Sequence, residues 1–344
     1  MSSVKISVIV PVFNSQMYLR ETLNALSQQS FRDLEIILVD DGSSDGSPQI
    51  ADAYARNRDN VIVLHTENSG EYNARLAGIR LAKGKYIAFC DSDDLPLPDM
   101  LEKMYMQAEK TGADITVCGF IREEMETGRV LSKEMLSFEA RSYGYPEMMD
   151  VLPLVNVAVW NKLFRAELLR HLLLFDKPPR IASDLLFCCS LYPFIRNVAF
   201  VPELLYRYRV REDSVLFQIV SEDLELIRCN MLQTRVYVLE NDSSPEMREL
   251  LDSTAFVHFG LSMVVRQTQA GEKISTSVWD ARSFLECSFP GYKKAGKGLV
   301  WNLRHHMMQF RILLGRWFFC AHLMTPFLLV YNFVTRRLKK EIKW

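Results

Sequence analysis

No C-x-x-C pair, no G-x-G-x-x-G loop, no internal repeat and no low-complexity tract occur in this sequence of 344 residues. The seven cysteines (Cys90, Cys118, Cys188, Cys189, Cys229, Cys287 and Cys320) form an odd set. Several sit in apolar runs, so they read as reduced core thiols of a cytosolic protein, and the overall composition is not that of a disulfide scaffold. Without the glycine-rich loop a dinucleotide enzyme has little support. Charge of one sign is lacking as well: the net is −1, and no nucleic-acid partner is expected. A hydrophobic fraction of 49% and a charged fraction of 24% are those of a folded globular chain, which excludes disorder and collagen-like repeats. The stretch MSSVKISVIVPVF lacks the basic start and long apolar run of a secretory signal and reads as a strand. The length favours two lobes, or one large domain with appendages.

The small net charge hides an asymmetry. From Lys293 to Trp344 there are eleven Lys/Arg and one acid, Glu341. Ends of opposite charge are expected to meet different partners. The same tail holds an apolar run of 18 residues, Trp317 to Val334, at the lower limit for a membrane span.

What is present is a regular alternation over the first 120 residues. Apolar, β-branched runs at Ile6 to Val12, Glu35 to Val39, Val61 to Leu64, Lys85 to Cys90 and Asp114 to Cys118 read as buried strands. Between them lie helix-spaced segments: Met17 to Ser27, a helix carrying Ile50, Ala53 and Tyr54, Tyr72 to Ala82, and Met100 to Ala108. Strands alternating with helices mean βαβ units and a mostly parallel sheet, an α/β fold. Beyond 121 a hairpin is expected to turn at Thr127-Gly128. Strands follow at Val198 to Val201 and, separately, Leu204 to Arg209; past 221 the chain reads as helices, broken at Asn241 to Pro245 and Gln269 to Ser277.

In an open α/β sheet, ligands bind at the carboxyl ends of the strands. Here the first strand ends in Pro11-Val12-Phe13-Asn14, the second in Asp40-Asp41-Gly42-Ser43, and the fourth in Asp91-Ser92-Asp93-Asp94. Five carboxylates on one edge repel unless a cation or donors compensate them. A single such Asp is as well explained as a helix or turn cap; two clusters at one edge are not. Asp91 and Asp93 flank one residue, so both can face one hard cation, Mg²⁺ or Mn²⁺, completed by substrate phosphates.

The segments SVIVPVFNSQMYLRETLNALSQQSFRDLEIILVDDGSSDGS and NSGEYNARLAGIRLAKGKYIAFCDSDD resemble the nucleotide-sugar-binding half of family-two glycosyltransferases, over about the first 120 residues. The resemblance implies a GT-A fold with a mostly parallel central sheet and a helical C-terminal region. It implies an inverting transferase that uses a nucleotide-diphosphate sugar, commonly a UDP-sugar, and a divalent metal. By position, Pro11, Val12, Phe13 and Asn14 would hold the nucleotide. Asp41 would meet the uracil, with Asp40 and Ser43 supporting the base pocket and Arg75 at the base or phosphate. Asp91 and Ser92 would lie near ribose and diphosphate, and Asp93 at the metal with Asp91. Downstream, VWNKLFRAELL and LLYRYRVREDSV resemble segments of the surface-polysaccharide branch of that family. Between them the family has Glu-Asp opening a helix, the Asp acting as general base. Here Asp184 matches the Asp, and Ser183 stands where the Glu would be. The implied acceptor is a cell-surface or lipid-linked glycan. The competing reading is a non-catalytic module that binds nucleotide sugars or glycans. Along the chain this implies a catalytic domain over 1–220 (donor half 1–120, acceptor half 121–220), a helical region over 221–292 and a tail over 293–344.

Arg209 and Arg211, with Arg207, are candidates to close over the diphosphate, since alternate strand residues share a face. Gly42-Ser43-Ser44-Asp45-Gly46 fits a nucleophile elbow, but Asp40-Asp41 beside it would oppose an oxyanion. Gly291 to Lys297 fits G-x-x-x-x-G-K, yet Gly298 replaces the Ser/Thr. His305-His306 point to different helix faces. In the tail, Leu299 to Phe319 is compatible with a helix punctuated by Arg304, Arg311 and Arg316, and Pro326 is expected to interrupt the apolar run. Basic residues beside apolar and aromatic ones suit a helix lying in the cytoplasmic, inner-leaflet lipid interface, which makes the protein cytoplasmic and peripheral. The plainer reading packs these helices on the catalytic domain or in a homodimer interface.

Overall fold

The computed structural model describes residues 4–211, 221–294 and 306–338. In chain order the elements are β1 (Ile6–Val12), α1 (Leu19–Ser27), β2 (Leu34–Asp41), α2 (Ser47–Ala55), β3 (Val61–Thr66), α3 (Glu71–Leu81), β4 (Tyr86–Phe89) and β5 (Leu95–Pro96). Then come α4 (Met100–Thr111), β6 (Ile115–Glu124), β7 (Val130–Glu134), β8 (Ser142–Gly144), α5 (Glu147–Val151), β9 (Lys162–Arg165), α6 (Ser183–Leu191) and β10 (Asn197–Val210). Helices follow: α7 (Ser221–Asn241), α8 (Pro245–Ala255), α9 (Met263–Gln269), α10 (Ile274–Ser288), α11 (His306–Cys320) and α12 (Met324–Leu338). The chain forms two compact units, one of residues 1–144 and 157–211, the other of 145–156 and 212–344.

The first unit is an α/β layer structure around one sheet in the order β3-β2-β1-β4-β9-β6-β10-β5, with β7 on β6 and β8 on β10. From β3 to β4 every pairing is parallel. β1 and β2 are buried along their whole length, which is why they read as continuous apolar runs. Beyond β4 the sheet is mixed. β9 runs antiparallel to both β4 and β6, while β10 returns parallel to β6. The hairpin expected at Thr127-Gly128 joins β6 to β7.

β10 corrects the expectation of two strands. The strand runs unbroken from Asn197 to Val210, through Pro202, and absorbs the irregularity as a bulge. Between the Val201–Cys118 and Tyr206–Phe120 pairs, β10 carries extra residues. Gly119 makes room for them: a Cβ there would lie 2.7 Å from the Glu203 carbonyl oxygen.

Two close contacts position the strand ends. A Cβ on Gly78 would fall 2.5 Å from Ile9 Cγ2, so glycine lets α3 lie directly on β1. Phe89, the last residue of β4, packs edge-on against Phe187 of α6 at 5.5 Å and Phe164 of β9 at 5.9 Å. Phe164 and Phe187 are 5.7 Å apart. Such pairs contribute roughly 0.5–1.5 kcal/mol each beyond burial, and they hold the end of β4 to the start of α6.

The second unit is helical. Phe256–Ser262, between α8 and α9, is wound as a π-helix. Pro326 does not interrupt the tail as expected: it sits in the first turn of α12, where a missing N–H costs nothing. The break falls at 321–323, where His322 takes φ 60°.

Candidate functional site

The expected strand ends do meet at one edge of the first unit. After β4 the chain turns through Asp91, Ser92, Asp93 and Asp94. Across from it α3 presents Arg75, whose side chain is only 2% exposed. Its Nη1 donates to Asp184 Oδ1 at 2.7 Å, and its Nη2 donates to Glu71 Oε1 at 2.7 Å and Asp91 Oδ1 at 3.0 Å. One guanidinium thus ties together three carboxylates from three elements. Burial disfavours the arginine's charge, and Asp184, Glu71 and Asp91 more than offset this, so its proton is held more tightly than usual. The Asp91 carboxyl is pushed well above the usual carboxylate range, by burial first and then by the charge of Glu71.

Asp184 is the second residue of α6, not its cap; the N-cap is Ala182, at φ 61°. Its carboxylate therefore leaves the helix end free and turns to Arg75 and to the Val159 N–H, which donates to Oδ2 at 3.2 Å. Behind that loop Lys162, 3% exposed, donates from Nζ to the Ala158 carbonyl at 2.5 Å and to Asn161 Oδ1 at 3.1 Å. Burial brings its ammonium down to about 8.

Asp93 lies against Arg211, with Nε 3.4 Å from Oδ2. Arg209 donates from Nε to the Asp93 carbonyl and from Nη1 to Glu21, while its backbone N–H donates to Asp94 Oδ1 at 2.8 Å. Asp94 is fully buried, and burial with the neighbouring Asp93 raises its carboxyl well above the ordinary value. Arg207 pairs with Glu123 at 2.9 Å, so of the three arginines Arg209 and Arg211 meet the acidic turn.

The Pro11 to Asn14 turn adjoins the second strand end. Pro11 and Val12 are buried, Phe13 is half exposed, and Asn14 takes φ 47°. The Asn14 N–H donates to Ser43 Oγ at 3.0 Å, and its Oδ1 accepts from the Ser44 N–H at 2.9 Å. Ser44, the elbow serine of the hydrolase pattern, has this amide for its partner. Asp40 accepts from the Ser43 N–H at 3.2 Å and meets His65 Nδ1 at 2.8 Å. Asp41 accepts the N–H groups of Ser69 and Gly70, both at 2.8 Å, and so fixes the start of α3. Ser92 Oγ shares a hydrogen bond with Ser15 Oγ at 2.7 Å. Asp40 is thus held between its own strand end and His65 of β3, whereas Asp91, Asp184 and Arg75 are brought into direct contact.

A metal ion would find oxygen ligands only. Among the described residues no hydrogen bond falls on Asp91 Oδ2, and the Asp93 side chain is 22% exposed. Among the described residues no group of three or more His, Cys, Asp or Glu side chains forms a complete cage. Two carboxylates at an acid-rich edge suit a hard cation that takes its other ligands from phosphates and water.

Glu71 and Lys162 had not been singled out from the sequence. Glu71 had a signal, the i,i+4 spacing to Arg75; Lys162 had only its position in an apolar strand. The pattern Gly291 to Lys297 begins in a short 3₁₀ turn, Pro290–Lys294, and continues outside the described residues, as do His305 and Leu299.

The sequence model of glycosyl transferase family 2 matches residues 7–173. EpsH of Bacillus subtilis is 30% identical over 281 residues, which is 79% of this chain and 80% of EpsH. The glycosyltransferase GlyG of Streptococcus pneumoniae is 30% identical over 226 residues, 61% of this chain and 72% of GlyG. Residues 1–349 of TarS from S. aureus, crystallised with UDP-GlcNAc, superpose with a TM-score of 0.70 at 20% identity, covering 98% of this chain and 93% of that one.

Proposed function

This chain belongs to glycosyl transferase family 2, and from that premise we propose that it moves a sugar from a UDP-sugar to a hydroxyl of a cell-surface or lipid-linked glycan, with inversion. The observation that carries the reading is the Arg75 bridge. It joins Asp91, on the side expected to take the donor, to Asp184, on the side expected to take the acceptor. The TarS fold, which this chain shares, holds UDP-GlcNAc, which favours a UDP-sugar here.

In this reading the Pro11 to Asn14 turn, Asp40, Asp41 and Ser43 form the base pocket, and Asp91 and Ser92 face ribose and diphosphate. Asp93 and Asp91 would hold Mg²⁺ or Mn²⁺, which neutralises charge on the departing diphosphate. Asp184 accepts the proton of the attacking hydroxyl as its oxygen bonds to the anomeric carbon. The bond from that carbon to the diphosphate breaks and its electron pair leaves with UDP. One displacement on the far face inverts the centre. Arg75 keeps the base carboxylate aimed, and Arg209 and Arg211 lend positive charge beside the acidic turn.

The tail supports a peripheral place at the inner leaflet. α12 buries Met324, Leu328 and Tyr331 and leaves Leu323, just before it, with Leu329, Val330 and Phe333 40–65% exposed. Among the described residues no helix is long and apolar enough to cross a membrane. Flanking basic residues suit anionic headgroups.

The test is turnover of a panel of nucleotide sugars with a glycan acceptor, with Mn²⁺ or with EDTA. Transfer of one UDP-sugar that EDTA abolishes is the expected result. UDP binding without transfer or hydrolysis of any donor would overturn it in favour of a binding module.

A further inference from the structure

In the helical unit, Arg228 and Arg235 lie seven residues apart on α7, two turns or about 10 Å along one face. The Arg228 guanidinium sits 5.4 Å from the Phe284 ring centre, and that of Arg235 sits 5.5 Å from Phe289. Both residues are partly buried, and each Nε is closed off from solvent with no hydrogen-bond partner. Among the described residues neither forms an ion pair, although the Asp252 carboxylate feels the charge of Arg235. Burial lowers the proton affinity of Arg228, with Asp280 and Glu225 only partly restoring it. A half-buried guanidinium whose Nε has no hydrogen-bond partner is costly, and two in register can each take a further acceptor beyond the carboxylates near them.

Beside Arg228 a cleft of about 330 Å³ opens between α7 and α10. Its walls include Trp279, which is 67% exposed, with Leu232, Glu225, Asp280 and Ser283. A flat indole face next to carboxylates and hydroxyls suits a sugar ring, whose C–H face covers the indole while its hydroxyls donate to the acids. The same acids oppose a densely charged polyanion such as a nucleic acid, with a charge at every repeat.

We propose that this cleft binds an anionic glycan: a sugar stacked on Trp279, a phosphate or carboxylate on Arg228, and the next anionic group of the chain on Arg235. The proposal deepens the reading of a glycan acceptor and rests on it. Such a site would favour charged polymers over neutral ones.

The test measures binding of the full chain to an oligosaccharide with glucuronate at every second sugar. The same oligosaccharide with its carboxylates methyl-esterified serves as the neutral control. The acid form is expected to bind about tenfold more tightly than the ester, and Arg228→Gln or Arg235→Gln to remove about that factor. Trp279→Ala, at an exposed position that leaves the fold intact, should weaken both forms. Transfer to a monosaccharide acceptor should be unchanged in all three variants. Equal binding of acid and ester, unchanged binding by the variants, or capture of anionic vesicles but not of the oligosaccharide would each overturn the proposal. Failure of the wild type to turn over any donor would instead overturn the transferase reading and leave these binding results standing.

Discussion

Arg75 and Arg228 make the same kind of side chain do opposite things. Arg75, in the sheet unit, is buried and held at both terminal nitrogens by three carboxylates within 3.0 Å, with only its Nε unpartnered. Arg228, in the helical unit, is partly buried over a ring face, and the nearby Asp280 and Glu225 reach it through charge without forming an ion pair. The first is internal architecture: its partners are in the chain. The second has no carboxylate at ion-pair distance among the described residues, which leaves it open to a group from outside. Compensation separates a structural charge from a recognition charge more sharply than burial does.

The comparison can be broken at its strongest point by removing the base. Asp184→Asn should lower turnover by about 10² to 10⁴-fold with donor affinity little changed. Steady-state kinetics with separate donor and acceptor titrations decide this; a loss of a few-fold would reassign the proton to another acid. Next is the hub itself. Arg75→Met leaves three carboxylates facing one another and should cost about 3 kcal/mol in urea unfolding. A loss below about 1 kcal/mol would mean that water already satisfies the cluster. Glu71→Gln should be milder, about 1 kcal/mol, because its side chain is 45% exposed and shares helix α3 with Arg75. The smallest effect sharpens the contrast. Arg228→Met should change stability by no more than about 0.5 kcal/mol in the same assay, in either direction. A large loss there would show that Arg228 is structural after all.

The parallel half of the sheet was legible because each of its strands is a local pattern. A buried β-branched run followed by Asp or Asn announces both the strand and its ligand-facing end, and β1, β2 and β4 end where those residues fall. The acidic turn at Asp91 to Asp94 and the acid at Asp184 were visible for the same reason. What joins them was not. Arg75 meets Asp184 across 109 residues, and no local rule states which acids a buried arginine will gather. Lys162 lies beside apolar residues, and among its partners the Ala158 carbonyl is backbone and leaves no trace in the side-chain pattern, while Asn161 is simply its neighbour in sequence. The mixed half of the sheet was harder because order β9-β6-β10 is set by pairings between distant segments. The two strands expected at Val198 to Val201 and Leu204 to Arg209 are one, because a bulge accommodates Pro202 in the ladder.

That bulge has a consequence for the whole site. Between Val201 and Tyr206, β10 spends five steps while β6 takes two, from Cys118 to Phe120. The surplus of three is odd, so odd and even positions change sides as the strand passes through it. Upstream, the strand keeps time with the apolar core through Val198, Ala199, Phe200 and Val201. Downstream, Tyr206 and Tyr208 turn to the Trp160 ring, and Arg209 turns to the acidic loop. The bulge works as an expansion joint between two metres. It lets one strand obey the spacing of the interior and then, after a skipped beat, the spacing of the site, so either can drift in sequence without dragging the other out of phase.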